Sequence, residues 1–133
     1  EAYASVTALI RQTEVAMQKD RNSIMNEWAL KHGNVSGRTA FDCAKHGDKT
    51  AKAVVDQYIR FVGTGLVSIL NIFQPEVILI GGGISNEGDY LLSPIREYVY
   101  AGDYNKFMKK TRIDIASLYN DAGIIGAALS ACE

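Results

Sequence analysis

The segment that most constrains the fold is a short apolar run at 76–80, which three glycines follow at once. The run, EVILI, is rich in branched side chains and is preceded by Pro75. A continuous apolar run of this length predicts a β-strand buried on both faces, as in the centre of a parallel sheet. Gly81, Gly82 and Gly83, here called the glycine loop, predict a turn at the carboxyl end of that strand. Open α/β sheets bind ligands at this edge.

Helical patterns precede the strand. The longest predicted helix covers 49–73 and follows Asp48, whose carboxylate suits an N-cap. It carries one apolar stripe, formed by Ala51, Val55, Tyr58, Val62, Leu66, Ile69 and Phe73. Shorter helices are predicted over 2–18, around 24–30 with a left-handed end at Gly33 and Asn34, and over 39–46 with Thr39 as cap and Gly47 as stop.

A second strand is predicted after the glycine loop, with a helix on either side of it. The first of these helices covers 90–100, with Pro94 in its first turn, and the strand covers 112–116. The last helix covers 121–131, and its small residues are expected to pack closely on a sheet: Gly123, Gly126, Ala127 and Ala128.

The order of these elements defines the expected fold class. A strand, a helix and a second strand imply a parallel pair. The chain is therefore predicted to be α/β, helix-rich with a short parallel sheet, and to form a single domain over residues 1–133. Because two strands are few for an independent sheet, we expect further strands upstream of Glu1, in a longer protein.

Composition excludes several classes of protein. The formal net charge of −1 and the pI of about 6.2 argue against a nucleic-acid-binding surface. Cys43 and Cys132 lie too far apart in sequence to suggest a zinc site or a disulfide framework, so buried thiols are expected. No segment approaches the ~20 apolar residues of a membrane span and no signal peptide is found, which predicts the cytoplasm and no membrane partner.

The glycine loop is compatible with more than one role. A dinucleotide-binding fingerprint requires a sixth-position glycine, where this sequence has Asn86, and the Gly-Lys-Ser/Thr of a P-loop is absent. A loop that lies against a ligand remains one interpretation. A tight exit from the strand without any ligand is the other.

Other polar and aromatic residues are expected to have structural roles. His32 and His46 lack partners at metal-ligand spacing and are assigned to helix ends or the surface. Solvated or capping roles are expected for Asp103, Asp114 and Asp121, and a solvated basic face for Lys106, Lys109, Lys110 and Arg112. Edge packing is favoured for Tyr98, Tyr100 and Tyr104, with contact to an adenine ring as the alternative.

Four segments together resemble the ROK family of bacterial sugar kinases and sugar-responsive repressors. They are EAYAS at 1–5, LNIFQPEVI at 70–78, IGGGIS at 80–85 and AGIIGAA at 122–128. They occur in the order and spacing of that family, and the resemblance extends over essentially the whole chain.

The resemblance implies a fold and a division of roles. The fold would be actin/hexokinase-like, with two ribonuclease-H-like lobes and with ATP and sugar in the cleft, and this chain would be the C-terminal part. Gly81, Gly82 and Gly83 match the loop that lies against the adenosine of ATP, and Glu1 matches a glutamate that binds sugar hydroxyls. The family's catalytic aspartate, phosphate-binding motif and zinc ligands would lie upstream. No catalytic residue or metal ligand is therefore assigned here, and Mg²⁺ is expected to accompany ATP.

The favoured function is ATP-dependent phosphorylation of a hexose or a related sugar. A sugar-sensing repressor of the same family is the alternative, and an interaction module built on the long helix is a weaker one. The isolated chain is expected to be inactive, and exposed apolar surface is expected to make it a homo-oligomer.

Overall fold

The computed structural model describes residues 2–107, 109–118 and 121–131. Its elements, in order, are α1 (Val6–Lys19), α2 (Ile24–His32), α3 (Thr39–Lys45), α4 (Lys49–Phe73), β1 (Val77–Ile80), a 3₁₀-helix (Gly83–Glu87), α5 (Asp89–Ala101), β2 (Arg112–Ile115) and α6 (Ala122–Ser130). The chain divides into two compact units, Glu1–Thr64 and Gly65–Glu133, with the division inside α4.

In the first unit, α1 begins later than the periodicity predicts. Ser5 has an extended backbone, and its side chain accepts a hydrogen bond of 3.1 Å from the N–H of Ala8. This capping geometry starts the helix at Val6, after a turn at residues 2–4. The predicted start at residue 2 is therefore wrong.

The carboxylate of Asp48 begins two helices of the first unit. It accepts hydrogen bonds from the N–H of Ala51 at 2.7 Å and from the N–H of Ile24 at 2.8 Å. It also accepts one from the hydroxyl of Ser23 at 2.9 Å. The prediction that Asp48 caps α4 is confirmed. Its second role, at the start of α2, depends on a contact between residues distant in sequence.

The helix ends of this unit follow the glycines. Gly33 ends α2 with a φ of +80°, and Gly47 follows α3 with a φ of +89°, as the sequence predicts. Thr39 is not the cap of α3, since Arg38 occupies the N-cap position. The Thr39 hydroxyl instead accepts a hydrogen bond of 3.0 Å from the N–H of Ser36, which tightens the preceding turn.

The core of the first unit is mainly apolar. Phe41 and Met25 are fully buried, and the ring of Phe41 lies edge-on to Tyr58 at 6.4 Å between centroids. The prediction that no segment approaches a membrane span is wrong by length and composition alone, since the 25-residue helix α4 meets both criteria. This is weak evidence, because a soluble core helix satisfies the same criterion, and the first half of α4 is buried at Ala51, Val54, Val55, Tyr58 and Ile59.

In the second unit, β1 and β2 form a parallel pair, with Val77 opposite Arg112 and Ile80 opposite Ile115. The predicted parallel arrangement is thus confirmed. On β2, Ile113 is fully buried, as is Ile95 on α5.

The prediction that β1 is buried on both faces is wrong for the described residues. Val77 and Leu79 are 38% and 57% exposed, whereas Ile78 and Ile80 are half-buried. Successive side chains of a strand point to opposite faces, and the face that carries Val77 and Leu79 has no cover from any described element.

Two predictions about the helices of this unit also fail. Pro94 lies in the second turn of α5, because Gly88, with a φ of +60°, sets the helix start at Asp89. In α6, a Cβ added at Gly123 or Gly126 would meet no atom within 4 Å. No described part of the chain packs against these glycines, so the close packing expected of α6 is not seen.

Candidate functional site

The glycine loop continues directly from β1, at the carboxyl end of both parallel strands. Gly82 has a φ of +83°, a conformation that side chains strain to adopt. The backbone conformation alone therefore explains why residue 82 is a glycine. A Cβ at Gly81 would lie 3.8 Å from the Cβ of Ala116, which is an ordinary contact.

Neither the backbone conformation nor a lack of space explains why residue 83 is a glycine. Its φ is not positive, and a Cβ added there would meet no atom within 4 Å. The residue is also exposed. Within the described chain, a larger residue would fit at this position without strain. The loop therefore presents bare backbone towards open space, which is the arrangement that a closely approaching ligand requires.

Hydrogen bonds connect this loop to the start of α5. The carbonyl oxygen of Gly82 accepts bonds from the N–H of Ser85 at 3.1 Å and from its hydroxyl at 2.6 Å. The N–H of Gly88 donates to the backbone carbonyl of Ser85, and the N–H groups of Leu91 and Leu92 donate to the carbonyl of Gly88. Hydrogen bonds thus run from the loop into α5, which is buried along one face.

Sequence reasoning did not assign a role to Ser85. Its side chain is 1% exposed, and its hydroxyl bonds back to a carbonyl three residues earlier. Serine hydroxyls often bond to nearby backbone groups. A serine three residues after a glycine that follows a strand could therefore have predicted this contact.

Glu1, the predicted sugar-binding residue, lies outside the described residues. Its assignment stays a prediction.

The two histidines are at helix ends, as predicted. The Nδ1–H of His32 donates to the backbone carbonyl of Trp28 at 2.8 Å, and that of His46 donates to the backbone carbonyl of Asp42 at 2.7 Å. Both rings contact the Trp28 ring, with centroids 4.9 Å and 5.3 Å away. Among the described residues, no three acidic, histidine or cysteine side chains come together to hold a metal ion.

Cys43 is buried, as predicted, and burial raises the pKa of its thiol to about 11. A neutral thiol with this pKa is a poor nucleophile and a poor metal ligand at neutral pH. Cys132 lies outside the described residues.

Two of the aspartates expected to be solvated or capping are in ion pairs. Asp103 is 3% exposed, and the Nζ of Lys110 lies 2.7 Å from its carboxylate. The hydrogen bond from Lys110, ahead of that from the Asn105 N–H, lowers the pKa of Asp103. Asp114 pairs with Arg96 at 2.5 Å and with Arg112 at 2.6 Å. The predicted solvated basic face is confirmed by exposure at all four positions, Lys106, Lys109, Lys110 and Arg112, and two of these side chains also form the ion pairs above.

The remaining candidates are peripheral. Asp121 is exposed at the N-cap position of α6, where its side chain makes no capping bond. Tyr100 donates its hydroxyl to the carbonyl of Thr111 at 2.9 Å, which fits the predicted edge packing. Tyr98 and Tyr104 are 41% and 87% exposed.

Known proteins match this chain over nearly its whole length. The sequence model of the ROK family matches residues 1–133. A glucokinase from Thermotoga maritima is 33% identical over 128 residues, which cover 96% of this chain and 40% of that protein. A ROK family glucokinase from Streptomyces griseus, solved in complex with glucose and AMPPNP, has a TM-score of 0.84 at 28% identity, covering 98% of this chain and 43% of that one.

A xylose repressor from Caldicellulosiruptor bescii is also similar. It is 25% identical over 95% of this chain and 31% of that protein. The chain thus spans about 40% of the length of the glucokinases it matches and less of the repressor.

The structural likeness confirms the predicted fold class. The helix-rich architecture with a short parallel sheet is that of ROK kinases, whose fold is actin/hexokinase-like. The family match covers every residue of the sequence. The chain therefore belongs to the ROK family.

Proposed function

We propose that this chain is the C-terminal portion of an ATP-dependent kinase that phosphorylates a hexose or a related sugar. The supporting relatives are glucokinases, one of which was solved with glucose and AMPPNP. In phosphoryl transfer the protein mainly positions the reactants and neutralises charge, so one portion can supply binding surface without supplying a catalytic group.

The observation that carries the proposal is the open, bare backbone at Gly83. This residue follows β1 at the ligand-binding edge of a parallel sheet, and nothing in the described chain accounts for its lack of a side chain. In the proposed function the glycine loop is the wall against which the adenosine of ATP lies.

The other ligands are assigned with the same proposal. Glu1 would accept hydrogen bonds from sugar hydroxyls, since a carboxylate can accept from two donors at once. Mg²⁺ would enter with ATP. No residue of this chain is assigned to the metal, because its described part brings together no cluster of metal-binding side chains.

Several properties of the complete protein belong to the proposal. We propose a cytoplasmic enzyme and a homo-oligomer, with the 133 residues forming one lobe and with no nucleic-acid contact made by this chain. The net charge of −1 supports the last point.

A sugar-sensing repressor is the second candidate, and the similarity to the xylose repressor favours it. The two differ in measurable activity. A kinase releases ADP when both sugar and ATP are present, whereas a repressor binds sugar and releases DNA without turnover.

The test is Gly83→Val in the full-length protein, in a coupled ADP-release assay with a panel of hexoses. A branched side chain at the adenosine wall should raise the KM for ATP about tenfold or more, since overpacking costs ~1–3 kcal/mol. The KM for sugar should change much less.

Gly65→Val is the matched control, because Gly65 likewise has open space around its Cβ position but lies in α4. Its KM for ATP should stay at the wild-type value. An unchanged KM for ATP in folded Gly83→Val would mean that the loop is only a tight exit from the strand.

A further inference from the structure

Ser85 is a buried polar residue that the proposed function leaves without a role. It lies two residues after Gly83, inside the 3₁₀-helix, and is 1% exposed. Both its hydroxyl, at 2.6 Å, and its N–H, at 3.1 Å, donate to the carbonyl oxygen of Gly82. A buried hydroxyl whose single donor is directed at one carbonyl fixes the direction of that carbonyl.

The carbonyl of Gly82 belongs to the peptide group that joins Gly82 to Gly83. In a trans peptide the C=O and the N–H point in opposite directions. By fixing the carbonyl, Ser85 therefore also fixes the Gly83 N–H, which points away from the Ser85 hydroxyl. This N–H makes no hydrogen bond to any residue that the structure describes, and the space beside Gly83 is open.

We infer that Ser85 is a positioning residue for nucleotide binding, which holds the Gly83 N–H towards an acceptor atom of the nucleoside. The inference rests on the proposed function and deepens it. Ser85 does not contact the ligand. It acts through the peptide group between Gly82 and Gly83. Because both flanking residues are glycines, this peptide group would otherwise rotate over a wide range.

Removal of the hydroxyl should loosen the peptide without abolishing the turn, because the Ser85 N–H still donates to Gly82. We expect Ser85→Ala in the full-length protein to raise the KM for ATP and the dissociation constant for AMPPNP about three- to tenfold, the range for one lost hydrogen bond. The KM for sugar and kcat should stay near their wild-type values.

Ser23→Ala is the matched control. Ser23 is 4% exposed, and its hydroxyl donates to Asp48 at the start of two helices. This substitution deletes the same atom from an equally buried serine, so it should lower Tm and leave the KM for ATP unchanged. Ser85→Thr keeps the hydroxyl and should retain a wild-type KM for ATP.

The outcomes separate this inference from the proposed function. If Gly83→Val raises the KM for ATP and Ser85→Ala does not, Ser85 has no positioning role. If Ser85→Ala and Ser23→Ala raise it equally, the effect is a general loss of stability and the inference is overturned. If Gly83→Val has no effect, the loop assignment fails and this inference fails with it. Should Ser85→Ala not fold, Ser85→Cys weakens the donor at similar size, and an unchanged dissociation constant for AMPPNP then overturns the inference.

Discussion

Both units of the chain have fully buried apolar side chains, but the second leaves more of its large apolar side chains exposed. In the first unit, Phe41, Leu9 and Met25 are all fully buried. In the second unit, large apolar side chains remain exposed on the strand β1, on the loop after α5 and on α6, including Leu79 at 57%, Phe107 at 99%, Ile124 at 74% and Leu129 at 66%. The candidate site lies in the second unit.

Polar groups also serve different purposes in the two units. In the first, the Asp48 carboxylate holds the beginnings of two helices that pack on a common core. In the second, Ser85 holds the glycine loop and Arg96 reaches the edge strand β2 at Ile113 and Asp114. The polar contacts of the first unit thus start helices, whereas those of the second hold a loop and a strand in place.

The largest expected effect is on core packing. Phe41→Ala should lower the free energy of unfolding by about 3–5 kcal/mol, the usual cost of deleting a buried aromatic side chain. Leu129→Ala, on the exposed face of α6, should cost less than about 0.5 kcal/mol. Urea denaturation followed by circular dichroism measures both. Equal losses for the two variants would show that the units do not differ in burial.

The next effect is on the shared helix cap. Asp48→Ala should cost about 1–4 kcal/mol, because capping losses of ~0.5–2 kcal/mol apply to each of two helices. Thermal melts against Ser5→Ala, which removes a single cap at α1, give the comparison. A loss no larger than that of Ser5→Ala would mean that only one helix depends on Asp48.

The same carboxylate predicts an acid dependence of stability. Burial alone would raise the pKa of Asp48, but the hydrogen bonds from Ala51, Ile24, Ser23 and Thr50 lower it overall below 3.8. A lowered folded-state pKa stabilises the protein above the unfolded pKa, and this stability is lost as pH falls through the folded pKa. Below about pH 4, wild-type stability should fall towards that of Asp48→Asn. If the stability of the two proteins falls in parallel with pH across this range, the pKa of Asp48 is not lowered by folding.

The smallest expected effect is at the sheet edge. Arg96 and Asp114 are each about one-third exposed, so water screens their attraction and the pair should contribute about 0.2–1 kcal/mol. A double-mutant cycle with Arg96→Ala and Asp114→Ala measures this coupling, which should shrink in high salt. A coupling of several kcal/mol that is insensitive to salt would contradict this, because it would mean that the pair is shielded from water.

The elements of this fold could be predicted where local chemistry determines them. The cap at Asp48, the left-handed ends at Gly33 and Gly47 and the parallel strand pair all follow from spacing and residue type. The loop at Gly82 follows in the same way, since a positive φ favours glycine.

The features that could not be predicted depend on contacts between distant residues or on side-chain direction. The exposure of Leu79 depends on what covers its face of β1, and the burial of Asp103 depends on the position of its loop. The role of Ser85 depends on the direction of one hydroxyl, which spacing alone leaves open. Whether Gly83 faces a ligand is likewise a question of surroundings, not of residue type.

We propose that the glycine loop is the adenosine wall of a sugar kinase. A crystal structure of the full-length protein with AMPPNP and glucose tests it most directly. We predict the adenosine moiety in van der Waals contact, within about 4 Å, with the backbone of Gly83. An adenosine bound elsewhere, with the backbone of Gly83 left in solvent, would contradict the claim.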